Sequence, residues 1–486
     1  MIELMRHQVR AVQLARSNPR FAFWWEPGCG KTMAILGIHK DRPMRTIVVC
    51  PKSIIRSAWV ADAEKFGVGM EIGVFVGTPA KRRGLLTDWQ KLDEPRIIVT
   101  NYELFRNFWR ELIIDCKVSR LVIDESSKLK NPRTHITRAS IEAAKWVDEV
   151  YLLSGTPAPN NPSEYWGQLH LVDEQLAASP AFPDKPSFTS WSGYYFTPSK
   201  RTFSDAKGNK HEAIVDWRLK ENRKTEFTAR LKASGEFVRK IDCVDLPKQT
   251  DQVIKFPLAP IELGRYHEVM AELATVLDGE KVDVHARAVL MKLRQLTGGH
   301  MIVTPAAIAP FTDNHVRRQK AIKTGESKML ALDDLLGTLE GFPIVIWASF
   351  RCEIQRILAH LVKNRRRKAR VLWGGTIAPE TIIERFQAGE LDALVCQPQA
   401  VAHGITLTSA SHAIYYSHDW SYETHVQSKD RIHRIGQLRP VTYYHLVADN
   451  SIDEFILRNL RSKDHKATSI IDIVRQLLGV DQHETA

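Results

Sequence analysis

A glycine-rich turn near the amino terminus has the residue types that bind a polyphosphate. Residues 26–32 read Glu-Pro-Gly-Cys-Gly-Lys-Thr and lie between an apolar run at 21–25 and an apolar helical segment that begins at Met33. A turn of this kind lets backbone N–H groups approach phosphate oxygens, and the start of the helix favours negative charge. Lys31 would then contact the β- and γ-phosphates, and the Thr32 hydroxyl would bind Mg²⁺. The predicted nucleotide contacts of this turn are Gly28, Cys29, Gly30, Lys31 and Thr32.

A pair of adjacent carboxylates, Asp124 and Glu125, follows another apolar run. Asp124 is suited to hold Mg²⁺ through water, and Glu125 is suited to polarise the water that attacks the γ-phosphate. By itself, a carboxylate pair at the end of a strand is most often a solvated turn. Downstream of a phosphate-binding turn, the same pair predicts that ATP is hydrolysed.

Two arginines in the carboxy-terminal part of the chain supply the positive charge that phosphoryl transfer needs. Arg431 and Arg434 are predicted on one face of a helix, and a guanidinium can form two parallel hydrogen bonds to phosphoryl oxygens. If this part of the chain closes on the phosphate-binding turn, both become arginine fingers, a contact worth about a thousandfold or more in rate. His433 between them is interpreted as a packing residue. The predicted catalytic set is Lys31, Asp124, Glu125, Arg431 and Arg434.

Two blocks of alternating strands and helices must position these groups. Apolar runs separated by helical segments predict parallel sheets covered on both faces, with ligands at the carboxyl ends of the strands. The strands predicted in the first block are Phe21–Trp25, Thr46–Cys50, Arg96–Thr100, Arg120–Asp124 and Val150–Ser154. Those predicted in the second block are Ile344–Ala348, Ala369–Trp373, Ala393–Cys396, His412–Tyr416 and Val441–Val447. The predicted fold class is α/β, with two parallel-sheet lobes and helical insertions between them.

The length of 486 residues exceeds what one hydrophobic core usually serves, so several domains are expected. Proline, serine and aromatic residues interrupt the strand pattern after the first block. The predicted domains are a first lobe at 1–172, a helical and irregular insertion at 173–258, a helical insertion of the second lobe at 259–340, the second lobe at 341–450 and a helical extension at 451–486.

The composition fits a globular chain with a polyanionic partner. Hydrophobic residues make up 44% and charged residues 26%, and the formal net charge is +12. A basic surface gains affinity for nucleic acid by releasing counterions, although many basic proteins bind none. The six cysteines show no C-x-x-C spacing, so we interpret them as reduced core thiols and not as zinc ligands or disulfides. No apolar run is long enough for a signal peptide or a membrane span, so a cytoplasmic protein without a membrane partner is expected.

In their order along the chain, these motifs resemble those of the Swi/Snf-like ATPases of helicase superfamily two. The family's glutamine, first, second, third and sixth motifs are matched by residues 4–8, 25–32, 124–127, 153–157 and 431–437. Ser126 and Ser127 stand where the family has Ala-His or Gly-His, and residues 400–407 retain only the later part of the fifth motif. The resemblance covers nearly the whole chain and is strongest to a compact annealing-helicase or a minimal phage or bacterial form.

The resemblance implies two RecA-like lobes, with ATP and Mg²⁺ as cofactors. It places Gln8 at the adenine edge. The further nucleotide contacts that it implies are Arg6, Gln8 and Gly404. The residues that it implies for coupling nucleotide state to movement are Ser154, Thr156 and Gln427.

The resemblance also implies a duplex DNA track that is held through phosphates and not read through bases. The DNA contacts that it implies are Lys52, Thr100, Asn101, Ser349 and Thr406. Without the family, each of these loops reads as an ordinary turn at the end of a strand. The densest basic run, Lys363–Lys368, is interpreted either as a solvated helix end or as a phosphate contact.

The predicted function is an ATP-dependent translocase on double-stranded DNA that hydrolyses ATP at the cleft between the lobes and acts as a monomer. Single-stranded or forked DNA are further substrates to consider. One alternative is a helicase that separates or anneals strands. A second alternative is a DNA-binding scaffold without hydrolysis, against which the complete catalytic set argues. The sequence leaves the pathway and the protein partners open, and a eukaryotic source would make the protein nuclear.

Overall fold

The computed structural model describes residues 3–67, 72–91, 94–204, 210–243, 245–277, 282–303, 320–400 and 405–461. These residues fold into two compact units. Most of unit 1 comes from Met1–Thr202 and Glu212–Asp245, and most of unit 2 from Leu246–Ala402 and Thr406–Ala486. Each unit contains one large parallel sheet with helices, so the predicted α/β class with two RecA-like lobes is confirmed.

The sheet of unit 1 has seven strands in the order β3-β4-β2-β5-β6-β1-β9, and all neighbouring strands are parallel. The strands are β1 Arg20–Trp25, β2 Thr46–Cys50, β3 Ile72–Phe75, β4 Ile97–Asn101, β5 Arg120–Asp124, β6 Glu149–Leu153 and β9 Gly235–Val238. A separate two-stranded sheet is formed by β7 Phe196–Ser204 and β8 Lys210–Leu219. Because β1 side chains alternate in direction, Ala22 and Trp24 pack in one core and Phe23 and Trp25 in another. Both faces of the sheet are therefore covered.

Ten α-helices belong to the described part of the chain up to residue 243. They are α1 Arg6–Ser17, α2 Lys31–Asp41, α3 Ala61–Phe66, α4 Pro79–Lys91, α5 Tyr102–Arg110, α6 His135–Ala144, α7 Trp166–Val172, α8 Phe188–Tyr195, α9 Lys224–Ser234 and α10 Lys240–Cys243. Two π-helical turns cover Ile55–Val60 and Glu111–Asp115. Short 3₁₀ turns cover Ser126–Leu129, Pro162–Tyr165 and Glu221–Arg223.

The sheet of unit 2 has six strands in the order β10-β17-β16-β13-β15-β14, again with parallel neighbours. The strands are β10 Gln249–Phe256, β13 Ile344–Trp347, β14 Ala369–Leu372, β15 Ala393–Cys396, β16 His412–Tyr415 and β17 Val441–Ala448, and an antiparallel pair is formed by β11 His300–Val303 and β12 Lys320–Lys323. The helices are α11 Pro260–Leu277, α12 Val282–Thr297, α13 Ser327–Thr338, α14 Arg351–Lys363, α15 Pro379–Gln387, α16 Tyr422–Asp430 and α17 Ile452–Arg461.

All ten predicted strands are present, each within one residue of its predicted ends. The segment 173–258, predicted as helical and irregular, also contains β9 and β10, which are edge strands of the two large sheets. Edge strands need fewer apolar residues than buried ones, and five of the first six residues of β10 are exposed. Their sequences therefore lack the continuous apolar run that marked the other strands. The predicted domain boundaries remain predictions.

The basic run Lys363–Lys368 is used in part to hold unit 2 together. Arg365 forms an ion pair with Asp333, and Arg367 donates to the carbonyls of Leu339 and Phe342. These contacts assign two arginines of the run a structural role. They leave the interpretation of the remaining basic residues open.

The described residues include no helix long and apolar enough to cross a bilayer. The six cysteines are free thiols in the structure, and four of them are buried.

Candidate active site

The glycine-rich turn lies between β1 and α2, where the sequence predicted it. Gly28 and Gly30 have φ values of 85° and 71°, and Gly30 is the residue that precedes α2. The left-handed φ of Gly30 favours glycine, and a Cβ there would also lie 2.3 Å from Nε2 of Gln8 and displace that side chain. Lys31 Nζ donates to the carbonyls of Trp25 at 2.9 Å and Glu26 at 3.4 Å. The ammonium group therefore lies against the turn that is predicted to receive the phosphates.

Helix α1 holds the outer side of this turn. Gln8 donates from Nε2 to the Gly30 carbonyl at 3.2 Å, and its Oε1 accepts from the Met5 amide at 2.9 Å. His7 Nε2 lies 2.7 Å from the Cys29 carbonyl, a contact that the sequence analysis missed. Gln8 thus supports the turn directly, while its contact with adenine stays a prediction. Arg6, at the start of α1, is exposed, and its nucleotide contact also stays a prediction.

The hydrolytic pair lies at the carboxyl end of β5. Asp124 is its last residue and accepts a hydrogen bond through Oδ2 from Trp59 Nε1 at 2.9 Å. The Tyr102 hydroxyl donates to the carbonyls of Asp124 at 2.5 Å and Glu125 at 2.9 Å. Trp59 and Tyr102 therefore fix the carboxylate and the backbone of the pair. Neither was predicted in this role, although Tyr102 belongs to the segment 100–102 that the family resemblance implies for the DNA track.

The electrostatic environment suits a site for a cation and phosphates. Burial raises the pKa of Asp124, the charge of Glu125 raises it further, and Lys31 opposes both effects. Glu125 adopts a left-handed backbone conformation, with φ 61°, and its Oε2 is buried without a hydrogen-bond partner among the described residues. A buried carboxylate oxygen without a donor fits a site that a bound water or cation completes. Thr32 is half-buried in the first turn of α2, so Thr32 and Asp124 fit the predicted Mg²⁺ site.

A buried glutamine in α7, Gln168, joins the second and third motifs. Its Oε1 accepts from Trp24 Nε1 at 2.9 Å and from Ser126 Oγ at 2.7 Å. Its Nε2 donates to the Pro157 carbonyl at 2.7 Å. Because Ser126 directly follows the hydrolytic pair, Gln168 connects that pair to the segment 154–157. No sequence motif marked this residue, since it lies in an otherwise apolar helix.

The segment 154–157 also touches the phosphate-binding turn. A Cβ at Gly155 would lie 2.7 Å from Cδ of Pro27, so the close approach of the two segments requires glycine. Ser154 is fully buried, and its Oγ accepts from the Thr156 amide at 3.2 Å. The Thr156 hydroxyl oxygen is buried and has no partner among the residues described. Ser154 and Thr156 are therefore placed beside the predicted phosphate site, while their coupling role remains a prediction.

The arginine pair belongs to unit 2 and lies just after α16, not on a helix as predicted. Helix α16 ends at Asp430, and the Leu407 amide donates to the Arg431 carbonyl at 2.8 Å, which removes that acceptor from a further helical turn. Arg431 is 7% exposed, and its Nε donates to the Gln427 carbonyl. Arg434 is half-buried. His433 is a packing residue, as interpreted, because its Nε2 bonds the Pro247 carbonyl at 2.7 Å.

Gln437 connects the segment that contains Arg431 and Arg434 to the residues that follow the fifth motif. Its Nε2 donates to the carbonyls of Thr408, Ala410 and Ile432. The sequence analysis noted this residue only as part of a motif. Gln427 is buried, with Nε2 donating to Glu423, and its coupling role remains a prediction. Gly404 lies outside the described residues.

The structure corrects one of the predicted DNA contacts and qualifies two others. Thr100 is fully buried in β4 and donates to the Phe75 carbonyl at 3.0 Å, so its side chain does not reach a track. Asn101 caps α5 by accepting from the Leu104 amide. The Ser349 hydroxyl oxygen is buried without a partner among the described residues.

The other two predicted DNA contacts are compatible with a surface role. Lys52 is exposed in the turn that follows β2. Thr406 is half-buried. Their contacts with DNA, like those of Asn101 and Ser349, stay predictions.

Two family models match the chain. That of the SNF2-related domain matches residues 22–300, and that of the helicase conserved C-terminal domain matches residues 327–436. The first begins within β1, and the second covers the strands of unit 2 from β13 to β16 together with the arginine pair. The match therefore includes the hydrolytic and arginine residues described above.

Proteins similar to this chain are encoded by animals and by a phage. The human protein named SWI/SNF-related matrix-associated actin-dependent regulator of chromatin subfamily A member 1 is 27% identical over 462 residues, which are 90% of this chain and 40% of the human protein. Putative protein p41 of Acyrthosiphon pisum secondary endosymbiont phage 1 is 23% identical and covers 93% of both chains. The solved Sulfolobus solfataricus SWI2/SNF2 ATPase core in complex with dsDNA is 21% identical, with a TM-score of 0.41, and covers 98% of this chain and 95% of its own.

Proposed function

The chain belongs to the SNF2-related family of superfamily-two ATPases, because that family's model matches more than half of its length, and we propose that it is an ATP-driven translocase on double-stranded DNA. The chain spans about 40% of the length of the human relative, so the activity of the whole relative is not transferred with the family. The proposal concerns the motor alone.

The observation that carries the proposal is the hydrogen-bonded network inside unit 1. Gln168 links Ser126, beside the hydrolytic pair, to Pro157, beside Thr156. Gly155 in turn packs against Pro27 of the phosphate-binding turn. A non-hydrolysing scaffold has no need for a network that joins a phosphate turn, a hydrolytic pair and a third segment. An ATPase that responds to its own nucleotide state does need one.

Each residue of the pair has a defined task in this proposal. Lys31 binds the β- and γ-phosphates, and Glu125 takes up a proton from the attacking water through Oε2, which has no donor in the part of the chain that the structure describes. Asp124, held by Trp59, and the Thr32 hydroxyl would hold Mg²⁺. Mg²⁺, when bound, would supply positive charge beside the phosphate oxygens.

Turnover also needs the arginine pair, which belongs to the other unit. Lys31, Asp124 and Glu125 are residues of unit 1, whereas Arg431 and Arg434 are residues of unit 2. Hydrolysis therefore requires the two sets to meet at one phosphate group. We propose that duplex DNA favours this meeting and that repeated cycles move the protein along the duplex.

Charge and relatives support double-stranded DNA as the track. The net charge is +12, and Lys52 is exposed directly after β2. The human relative is named as a regulator of chromatin, which is assembled on duplex DNA. Contacts to phosphates carry little sequence preference, so we expect stimulation by duplexes of any sequence.

The proposal is tested by measuring ATP hydrolysis with duplex DNA, single-stranded DNA, forked DNA and RNA, at two salt concentrations. We expect the largest stimulation with duplex DNA and a loss of stimulation at the higher salt concentration. Displacement of a third strand from a triplex, without unwinding of a fork, would support translocation. Fork unwinding or strand annealing without triplex displacement would instead favour the strand-separating or strand-annealing alternative. Absence of hydrolysis with every nucleic acid would refute the ATPase.

A further inference from the structure

Two thiols from distant parts of unit 1 touch at the phosphate-binding turn. Cys29 lies between the two left-handed glycines of the turn, and Cys243 is the last residue of α10. Their Sγ atoms are 3.5 Å apart. The Cys29 side chain is fully buried, and that of Cys243 is half-buried. The contact therefore joins the centre of the nucleotide turn to a thiol that small molecules can reach.

The backbone around the pair holds the two thiols together. The Glu26 carboxylate accepts from the Lys240 amide at 2.8 Å, and the Glu26 amide donates to the Val238 carbonyl at 2.9 Å. Strand β9, which precedes α10, pairs in parallel with β1, which precedes the turn. Two elements and two hydrogen bonds thus fix the segment that carries Cys243 against the segment that carries Cys29. The proximity of the sulfurs is built into the sheet.

We propose that Cys29 and Cys243 form a reversible disulfide that switches the phosphate-binding turn off under oxidising conditions. The oxidant is a small-molecule disulfide such as glutathione disulfide. The Cys243 thiolate attacks one sulfur of the oxidant, forms a mixed disulfide and releases one glutathione thiolate. The Cys29 thiolate then attacks the Cys243 sulfur and releases the second. Two thiols lose two protons and two electrons, and one glutathione disulfide becomes two glutathiones.

Burial slows both steps, whereas the contact between the two sulfurs favours the second step. Burial raises the pKa of both thiols, so little thiolate exists near neutral pH and the reaction should accelerate as the pH rises from about 7 to about 9. The existing contact compensates in the second step, because groups held together react as if at very high concentration. Cys243, the more accessible thiol, is therefore the entry point, and Cys29 is the resolving thiol.

The disulfide would distort the nucleotide site. A disulfide requires its sulfurs to lie about 2.05 Å apart, so the two side chains must rotate, or their segments must move, from the present 3.5 Å. Cys29 shares its backbone with Gly28 and Gly30, whose amides are expected to face the phosphates. A displacement of about 1 Å at a reacting centre can reduce turnover about a hundredfold. This consequence rests on the proposed ATPase function, whereas formation of the disulfide does not.

The chemical part is tested without any activity assay. The full chain is treated with glutathione disulfide, alkylated, digested with trypsin and mapped by mass spectrometry without reduction. Trypsin releases Cys29 in residues 21–31 and Cys243 in residues 241–248, so the disulfide appears as one linked species. We expect this species in the wild type and in Cys352→Ser, which removes another half-buried thiol, and not in Cys243→Ser. Absence of the linked peptides in the wild type overturns the proposal, whether or not the chain hydrolyses ATP.

The regulatory part is tested on the same samples. Oxidation should reduce wild-type ATP hydrolysis at least about tenfold, dithiothreitol should restore it, and Cys243→Ser should keep its activity under oxidation. Binding of a fluorescent ATP analogue, measured in parallel, should fall and recover with the same treatments. Unchanged nucleotide binding and turnover in a sample that contains the linked peptides would overturn the switch. If the chain proves not to be an ATPase, the peptide map still tests whether the disulfide forms, and nucleotide binding still tests whether the disulfide alters the turn.

Discussion

Replacement of Gln168 by leucine should destabilise unit 1 and remove the hydrogen bonds that link Ser126, beside the hydrolytic pair, to the segment 154–157. Leucine is close in size but leaves three buried groups without their partner: Trp24 Nε1, Ser126 Oγ and the Pro157 carbonyl. Each buried polar group left without a hydrogen-bond partner costs about 1–3 kcal/mol, and the cost for the serine is at the low end because its hydroxyl can rotate. We therefore expect a loss of about 3–5 kcal/mol in the free energy of unfolding, measured by urea denaturation.

A double-mutant cycle with Ser126→Ala tests whether the network is the cause. Ser126→Ala alone should cost about 1 kcal/mol. In the Gln168→Leu background, Ser126→Ala should cost nothing or even stabilise the protein, because the Ser126 hydroxyl has already lost its partner. The coupling energy between the two substitutions should therefore be about 1 kcal/mol or more. If the two effects add to within about 0.5 kcal/mol, the reasoning about a shared network is wrong. Both variants should lose DNA stimulation of ATP hydrolysis more than basal hydrolysis, and equal losses would also count against it.

Three further changes test other parts of the structure. Glu125→Gln should lower DNA-stimulated hydrolysis at least about a hundredfold while nucleotide binding persists, because the proton acceptor is lost; retained hydrolysis in a steady-state assay would exclude Glu125 as the base. Arg434→Ala should reduce turnover about a thousandfold, with folding checked by circular dichroism, and unchanged turnover would remove it from the transition state. Burial lowers the pKa of His39 to about 4, with Arg120 adding to the effect, so the unfolded chain gains a proton first as the pH falls below about 6.5. The free energy of unfolding, measured by urea denaturation, should then drop by up to about 1.4 kcal/mol per pH unit between pH 6.5 and 4. His39→Gln should reduce this pH dependence, whereas the control His135→Gln, at an exposed site, should not.

The sequence sufficed for the elements whose pattern is local. Buried parallel strands read as continuous apolar runs, so β1, β2, β5 and the five strands of the second sheet other than β10 were found almost to the residue. The phosphate turn and the hydrolytic pair were recognisable because their residue types must occur at fixed positions after a strand. Edge strands such as β10 escaped, because an exposed edge carries no such run.

The residues that support the site could not be predicted, because their contacts join segments that are distant in sequence. Trp59 reaches Asp124, and Gln168 reaches both Trp24 and Pro157. A tryptophan or a glutamine in an apolar segment looks like ordinary core or a surface position until the fold brings its partner near. The prediction that the Thr100 side chain contacts DNA was wrong for the opposite reason. The Thr100 hydroxyl fitted a track contact in the pattern, but the strand buries it and it donates a hydrogen bond to the Phe75 carbonyl.

The serine pair after the hydrolytic residues shows how this site compensates for a departure from the family pattern. The family resemblance expects a histidine at the position of Ser127, where this chain has a shorter, buried side chain. A connection to the segment 154–157 runs from Ser126 through Gln168, which is fully buried and hydrogen-bonded at both its amide oxygen and its amide nitrogen. A buried amide whose oxygen accepts two hydrogen bonds and whose nitrogen donates one to a carbonyl has one favoured orientation, because a flip of the amide would break these bonds. We therefore predict that movement near Thr156 is transmitted to Ser126. The bridge can transmit nucleotide state without the histidine, provided that Gly155 remains small enough to let this segment lie against Pro27.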